Sequence, residues 1–330
     1  MKAILSKLYE HQHLSREEAR EVLMNISNET YPPAQVASFM TVYLMRAITV
    51  DELQGFREAL LELCLTIDLE GRETIDIVGT GGDGKNTFNI STLSSFLVAG
   101  AGYKVTKHGN RGVSSVSGSS NVLQQMGYLF TDNRDKLMRQ LDKAGICFFH
   151  APLFHPAMKA VAPIRRALKL KTFFNMLGPL VNPAQPKYQL FGVYSLELAR
   201  LYQYILQQSK KQFSVVYAMD GYDEVSLTSP FKVRTHHSEQ LITPTDIGKS
   251  YYQQQDLYGG ETIAEAATIF QNILKGNGTA AQNDVVATNA GLAIHCIHPE
   301  KSLLDCIAEA QESLESGRAL KALETLVALA

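Results

Sequence analysis

Residues Asp76 to Thr92 read DIVGTGGDGKNTFNIST, four glycines set between an apolar run and a Ser-Thr pair. From Gly79, GTGGDG fits the dinucleotide fingerprint G-x-G-x-x-G, and GTGGDGKN misses the nucleotide P-loop only at Asn86. A dinucleotide site needs a helix starting at the third glycine and an acidic residue at the end of the next strand. Here Gly84 is followed by KNTFNI, a poor helix start, and the next strand ends at Lys107-His108. A P-loop needs a hydroxyl for magnesium after its lysine, and Asn86 has none. The strand Val215 to Met219 runs into Asp220 like a Walker-B strand, but apolar strands ending in Asp are common. What remains is a long glycine loop closed by Asn89-Ile90-Ser91-Thr92, with Ser91 and Thr92 expected to cap a helix over Leu93 to Ala101. Such glycines let peptide N–H groups converge on an anion, and the helix dipole adds to the same site.

Outward from the loop, Thr74 to Val78 and Tyr103 to Thr106 are expected as strands, the second followed by KHGNRGVSSVSGSS and a helix from about Asn121. Two consecutive strand-loop-helix units imply a parallel sheet, which binds ligands at the carboxyl ends of its strands. The second loop brings the cations Lys107 and Arg111, and the hydroxyls of Ser114, Ser115, Ser117, Ser119 and Ser120, serines expected to cap the following helix. Two cradles side by side suit a ligand with phosphate groups at separate ends. Further strands are expected at Ile146 to His150, Gln189 to Tyr194 and Ser214 to Met219, with a hairpin from Phe231–Arg234 and Gln240–Thr243. Helices fill the chain from Thr262 to the end.

The first 66 or so residues read as helical. SREE (15–18) and TVDE (49–52) are capping boxes, and Pro32-Pro33 opens a helix between them. The segment Pro163 to Pro186 is helical, then broken by prolines, as a hinge returning to these helices would be. The expected fold is α/β: a small α-helical domain (1–70 with about 164–188) and a larger α/β domain (71–163 with about 189–330) with a central, mainly parallel sheet.

Of the 330 residues 45% are hydrophobic and 19% charged, and the net charge of -2 provides no electrostatic footprint for nucleic acid. No apolar run has membrane-spanning length, and MKAILSKLYEHQHL breaks its apolar run at Ser6-Lys7, unlike a signal sequence. Cys64, Cys147, Cys296 and Cys306 are far apart and form no C-x-x-C pair, so they are expected as reduced core cysteines of a cytoplasmic protein.

Two later features bear on chemistry. Asp223-Glu224, on a turn (DGYDE) after a strand, suits magnesium, a hard ion that prefers oxygen. On the hinge helix Arg165 presents a planar guanidinium, which can hold a carboxylate by two parallel bonds. His108 reads as a loop constituent, His150 and His155 as packing or hinge residues, and His236-His237 as an exposed turn.

In order and spacing, GTGGDGKNTFNIST, KHGNRGVSSVSGSSNVLQQMG, HPAMKAVAPIRRALKLKTFFNMLGPLVNP and YDEVSL resemble the anthranilate phosphoribosyltransferase family of tryptophan biosynthesis, from the N-terminus to about Leu227. The resemblance implies a homodimeric enzyme that joins anthranilate to 5-phosphoribosyl 1-diphosphate with the help of Mg²⁺, binding small molecules in a hinge cleft. It implies that Gly79, Gly82, Asp83, Thr87, Asn89, Ile90, Ser91 and Thr92 bind the phosphoribosyl diphosphate. Lys107, His108, Gly109, Asn110, Arg111, Gly112, Val113, Ser114, Ser115 and Ser119 would complete that site. Gly79, Asn110 and Arg165 would contact anthranilate, and Ser91, Asp223 and Glu224 would hold the metal. The chain departs from the family at Lys85, at Gly112 (a serine in many members) and over 248–260 (GKSYYQQQDLYGG). A pyrimidine nucleoside phosphorylase is the nearest rival, but NIST and the DE pair together argue against it. A nucleic-acid-binding relative should show a basic face, which the net charge does not support.

Overall fold

The computed structural model describes residues 1–112 and 115–330. Helices α1 (Lys2–Tyr9), α2 (Arg16–Ser27), α3 (Pro33–Met45) and α4 (Val50–Glu62) open the chain. Next come β1 (Ile75–Gly79), α5 (Ile90–Gly100), β2 (Val105–Gly109), α6 (Ser119–Gln125), α7 (Arg134–Ala144) and β3 (Ile146–His150). Three helices follow: α8 (Ala151–Phe154), α9 (Ala157–Leu168) and α10 (Phe174–Leu177). After them run β4 (Tyr188–Gly192), α11 (Leu196–Gln207), β5 (Gln212–Ala218), β6 (Phe231–Arg234) and β7 (Glu239–Ile242). The last four helices are α12 (Ile263–Asn272), α13 (Ala280–Ile297), α14 (Leu303–Glu315) and α15 (Arg318–Ala328).

The chain divides into two compact units, Met1–Ile67 with Ala151–Gln185, and Asp68–His150 with Pro186–Ala330. The segment that joins the N-terminal helices therefore starts at Ala151 rather than near 164. In the first unit, Ser15 and Thr49 close reciprocal capping boxes with Glu18 and Glu52. Glu52 is fully buried and accepts hydrogen bonds from Leu14 N–H (3.1 Å), Thr49 N–H (3.0 Å) and the Tyr43 hydroxyl (3.2 Å), beside the Arg46 guanidinium. Burial pushes its acidity the wrong way, but Arg46 and these donors hold the carboxyl below its usual range. Phe173, from the returning segment, stacks on Phe56 at 4.6 Å and meets Phe39 edge-on at 6.0 Å. Rings such as these bury large apolar areas, and aromatic pairs contribute about 0.5–1.5 kcal/mol beyond that burial.

The second unit is built on a seven-stranded sheet in the order β3-β2-β1-β4-β5-β6-β7. The first five strands are parallel, and β6 and β7 add an antiparallel hairpin. The order runs one way from β1 through β2 to β3, then the other way from β4, so the sheet switches direction between β1 and β4. Open sheets leave a crevice outside the carboxyl ends of their strands at that switch. Helix α5 is buried nearly all round, Ile90 and Thr92 to Ala99 included, and it packs against α13 and α15. Among the described residues no helix is long and apolar enough to cross a membrane.

Two boundaries differ from the sequence expectation in ways that matter for the site. Strand β2 runs on through Lys107 and His108 to Gly109, because buried Asp76 on β1 accepts the His108 N–H (3.2 Å) and Ile77 O accepts from Lys107 Nζ (2.6 Å). His108 is thus a buried strand residue, not a loop constituent. Helix α5 starts at Ile90, so Ser91 and Thr92 lie in its first turn rather than at its cap.

Candidate active site

At the switch point the glycine loop leaves β1, and the turn carrying Asp223 and Glu224 passes over the tips of β1 and β4. Gly79 and Gly192 face each other in register. A β-carbon on Gly79 would lie 2.4 Å from Asp223 Oδ2, and one on Gly192 would lie 1.7 Å from the Asp223 carbonyl. Both strands must end in glycine for the acidic turn to sit this close. Gly79 is among the residues expected from the sequence; Gly192 is not, because it falls inside the expected strand Gln189 to Tyr194 and only the structure ends β4 there.

The loop itself takes left-handed angles at Gly81 (φ 67°), Gly82 (φ 82°) and Gly84 (φ 76°), where a side chain would be strained. Its peptide donors are engaged by carboxylates. Gly81 N–H donates to Asp223 Oδ2 (2.6 Å), Lys85 N–H to Asp83 Oδ1 (3.0 Å) and Ser91 N–H to Glu224 Oε1 (3.0 Å). Asp83 also hydrogen-bonds to Asp223. Asp223 is only 6% exposed and Glu224 is half-buried, so the pair is no freely solvated acidic turn.

Three acids gathered at one place, Asp223 buried and Asp83 and Glu224 half-buried, oppose each other's ionisation. Burial, then Glu224 and Asp83, push Asp223 well above the usual carboxylate range. Burial, then Asp83, push Glu224 up to about 7, against the pull of Ser91 and of Lys107. Burial raises Asp83 as well. An oxygen-only donor set with surplus negative charge fits a hard divalent ion such as magnesium. Among the described residues no three such side chains close on one point; magnesium takes one or two carboxylates and keeps several waters.

The remaining expected site residues divide by environment. Ile90 and Thr92 are buried and offer the site no exposed side chain. Asn89 donates from its amide to Ser117 O (3.0 Å), tying the two loops together instead of capping α5. Lys107 is buried, and burial, countered by Asp76 and Glu224, lowers its pKa. Asn110 O accepts from Ser120 N–H (3.1 Å) and Ser119 Oγ (3.4 Å), while exposed Arg111 reaches Gln124 (3.2 Å). Gly118, not a serine, stands at the cap of α6, and Asn121 Oδ1 accepts from both Gly112 N–H (2.9 Å) and Gly118 N–H (3.1 Å). A β-carbon at Gly112 would lie 2.6 Å from Ser115 O, a physical reason for glycine here. Val113 and Ser114 lie outside the described residues. His150 stacks on Phe130 at 4.3 Å and pairs with the Ser120 hydroxyl (2.9 Å).

Arg165 belongs to the first unit. Its guanidinium is half-buried 5.6 Å over the Phe174 ring and donates to Asn175 Oδ1 (3.2 Å), with no carboxylate partner among the described residues. A guanidinium taken partly out of water with no counter-ion is prepared for a carboxylate ligand.

Two family models match the chain: a glycosyl transferase family helical bundle domain over residues 2–64 and a glycosyl transferase family a/b domain over residues 71–320. An anthranilate phosphoribosyltransferase of Bacteroides thetaiotaomicron is 56% identical over 329 residues, 100% of this chain and 99% of the relative. The crystal structure of the anthranilate phosphoribosyltransferase of Thermus thermophilus is similar with a TM-score of 0.91 at 32% identity, covering 98% of both chains. The Saccharomyces cerevisiae anthranilate phosphoribosyltransferase in complex with PRPP (5-phosphoribosyl 1-diphosphate) and Mg has a TM-score of 0.90 at 26% identity, covering 98% of this chain and 96% of that one.

Proposed function

The chain belongs to the anthranilate phosphoribosyltransferase family, and from that premise we propose how its own residues carry the reaction. The enzyme transfers the phosphoribosyl group of 5-phosphoribosyl 1-diphosphate to the amine of anthranilate, giving N-(5-phosphoribosyl)anthranilate and pyrophosphate, a step of tryptophan biosynthesis. The bond from ribose C1 to the diphosphate breaks, and its electron pair leaves with pyrophosphate. The amine nitrogen bonds to C1 and gives up a proton. The aromatic amine is neutral near physiological pH, so no side chain has to deprotonate it beforehand and no protein nucleophile is needed.

The observation that carries the residue-level reading is the meeting of Asp223 and Glu224 with the N–H groups of Gly81 and Ser91 at the sheet's switch point. In this reading Gly79, Gly82, Asp83, Thr87 and Asn89 to Thr92 bind the phosphoribosyl diphosphate. Lys107 to Ser115, with Ser119, complete that site around the diphosphate and the ribose 5-phosphate. Ser91, Asp223 and Glu224 hold Mg²⁺, which supplies positive charge for the developing pyrophosphate. Lys107, buried beneath Ile77 O, offsets Glu224 and fixes the field of the cradle. Preorganised charge of this kind is usually the largest catalytic contribution. Gly79, Asn110 and Arg165 contact anthranilate, Arg165 by its carboxylate. Exposed Met45 and Leu44 at the end of α3 support a homodimer through the helical unit, which sedimentation velocity would test.

Anthranilate is fluorescent, and its consumption tests the activity directly. The signal should fall when phosphoribosyl diphosphate and Mg²⁺ are added together, and chelation should stop the fall. A steady signal with both present would overturn the reading.

A further inference from the structure

Asn86, the residue that breaks the P-loop pattern, has no part in the phosphate chemistry above. With Thr87 and Phe88 it forms the second half of the loop, which belongs to no helix and no strand of the main sheet. A distant stretch, Leu257 to Gly260 (LYGG), holds it. Gly259 N–H donates to Asn86 O (2.8 Å), and Phe88 N–H donates to Leu257 O (3.1 Å). Between these bonds Thr87 and Tyr258 form an antiparallel bridge, and the Asn86 amide donates to Gly260 O (2.8 Å) across 174 residues. The approach is so close that a β-carbon on Gly259 would lie 2.4 Å from Thr87 O and 2.8 Å from Phe88 N. The same segment is tied at its other end. Tyr252 N–H donates to Leu227 O (3.0 Å), just past the acidic turn, and Asp284 accepts from the Tyr252 hydroxyl (2.6 Å) and Lys249 (2.7 Å).

We propose that the stretch from Lys249 to Gly260 is a positioning strap that sets the glycine loop against the Asp223-Glu224 turn, with Asn86 and Gly259 as its positioning residues. The proposal rests on the substrate site described above. The stretch binds nothing itself. It fixes one end just past the turn that bears the acids, at Leu227, and the other on the loop that bears the N–H donors, so both halves of the cradle keep their spacing before substrate arrives. A loop ordered in advance avoids part of the ordering cost on binding, and displacing such a group by about 1 Å can cost about a hundredfold in rate.

The test compares the full-length protein with Asn86→Ala, Asn86→Gln and Gly259→Ala in steady-state kinetics with each substrate varied. For the two alanine variants kcat/KM for phosphoribosyl diphosphate should fall about tenfold or more. Their KM for anthranilate should stay within about twofold of the parent, and Asn86→Gln, which keeps an amide donor, should recover most of the loss. Unchanged kcat/KM in the alanine variants, or equal losses toward both substrates, would overturn the strap. Should Gly259→Ala fail to fold, Asn86→Ala decides. No turnover by the unsubstituted protein would overturn the function and the strap with it, whereas normal parent turnover with unimpaired variants overturns the strap alone.

Discussion

Asp223 accepts a 2.6 Å hydrogen bond from the peptide N–H of Gly81. Glu224 stands in the same relation to Ser91 at 3.0 Å. Two adjacent acids thus occupy donors of the loop that the sequence marks for phosphate, because the same converging N–H dipoles attract either kind of anion. The loop and the acidic turn act as one unit whose spacing depends on the missing side chains of Gly79 and Gly192.

This arrangement sets stability against activity. In chelated protein Glu224 is held up at about 7, above the 4.5 of an exposed glutamate, first by burial and then by Asp83. A folded-state pKa raised above the unfolded one gives stability that is fully present below pH 4.5 and is lost as pH rises through 7. Replacing Asp223 by Asn together with Glu224 by Gln should therefore flatten the fall of the urea midpoint across that window. Turnover at ordinary Mg²⁺ should drop on the order of a hundredfold or more. Unaltered kinetics would contradict the metal assignment.

Arg165→Ala removes the one half-buried guanidinium assigned to anthranilate. The expected result is a KM for anthranilate raised about tenfold or more, with KM for phosphoribosyl diphosphate nearly constant, because a lost charge-assisted bond of about 1.5–3 kcal/mol would affect one substrate only. Initial rates with each substrate varied in turn decide it, and equal effects on both would remove the role.

Much of this architecture could be read from the chain. The strands Ile146–His150 and Phe231–Arg234 fall where their apolar and β-branched residues place them, and both capping boxes form. Local chemistry sufficed there, since period and cap are set by near neighbours. Lys107 and His108 misled because charged residues after a short apolar run read as a loop. Their place inside β2 depends on Asp76 and Ile77 of the neighbouring strand, which no local pattern reveals. Gly192 needed knowledge of what would lie above it. The pairing of Asn86 with Gly260 joins residues 174 apart and left no trace in either stretch alone.

His155 offers a separate test, in the helical unit. It is 2% exposed, and burial, partly opposed by a hydrogen bond to the backbone of Val181, lowers its pKa from 6.5 to about 4. A depressed histidine costs nothing above its unfolded pKa, where both states are neutral. Below 6.5 the unfolded chain takes up the proton first, so stability falls as pH drops toward about 4. Over that range the parent should lose on the order of 3 kcal/mol more than His155→Gln. Urea unfolding followed by far-UV circular dichroism at several pH values measures the difference. Parallel curves for the two proteins would mean that His155 is protonated in the folded state as readily as in the unfolded chain, and that its burial is relieved on acidification.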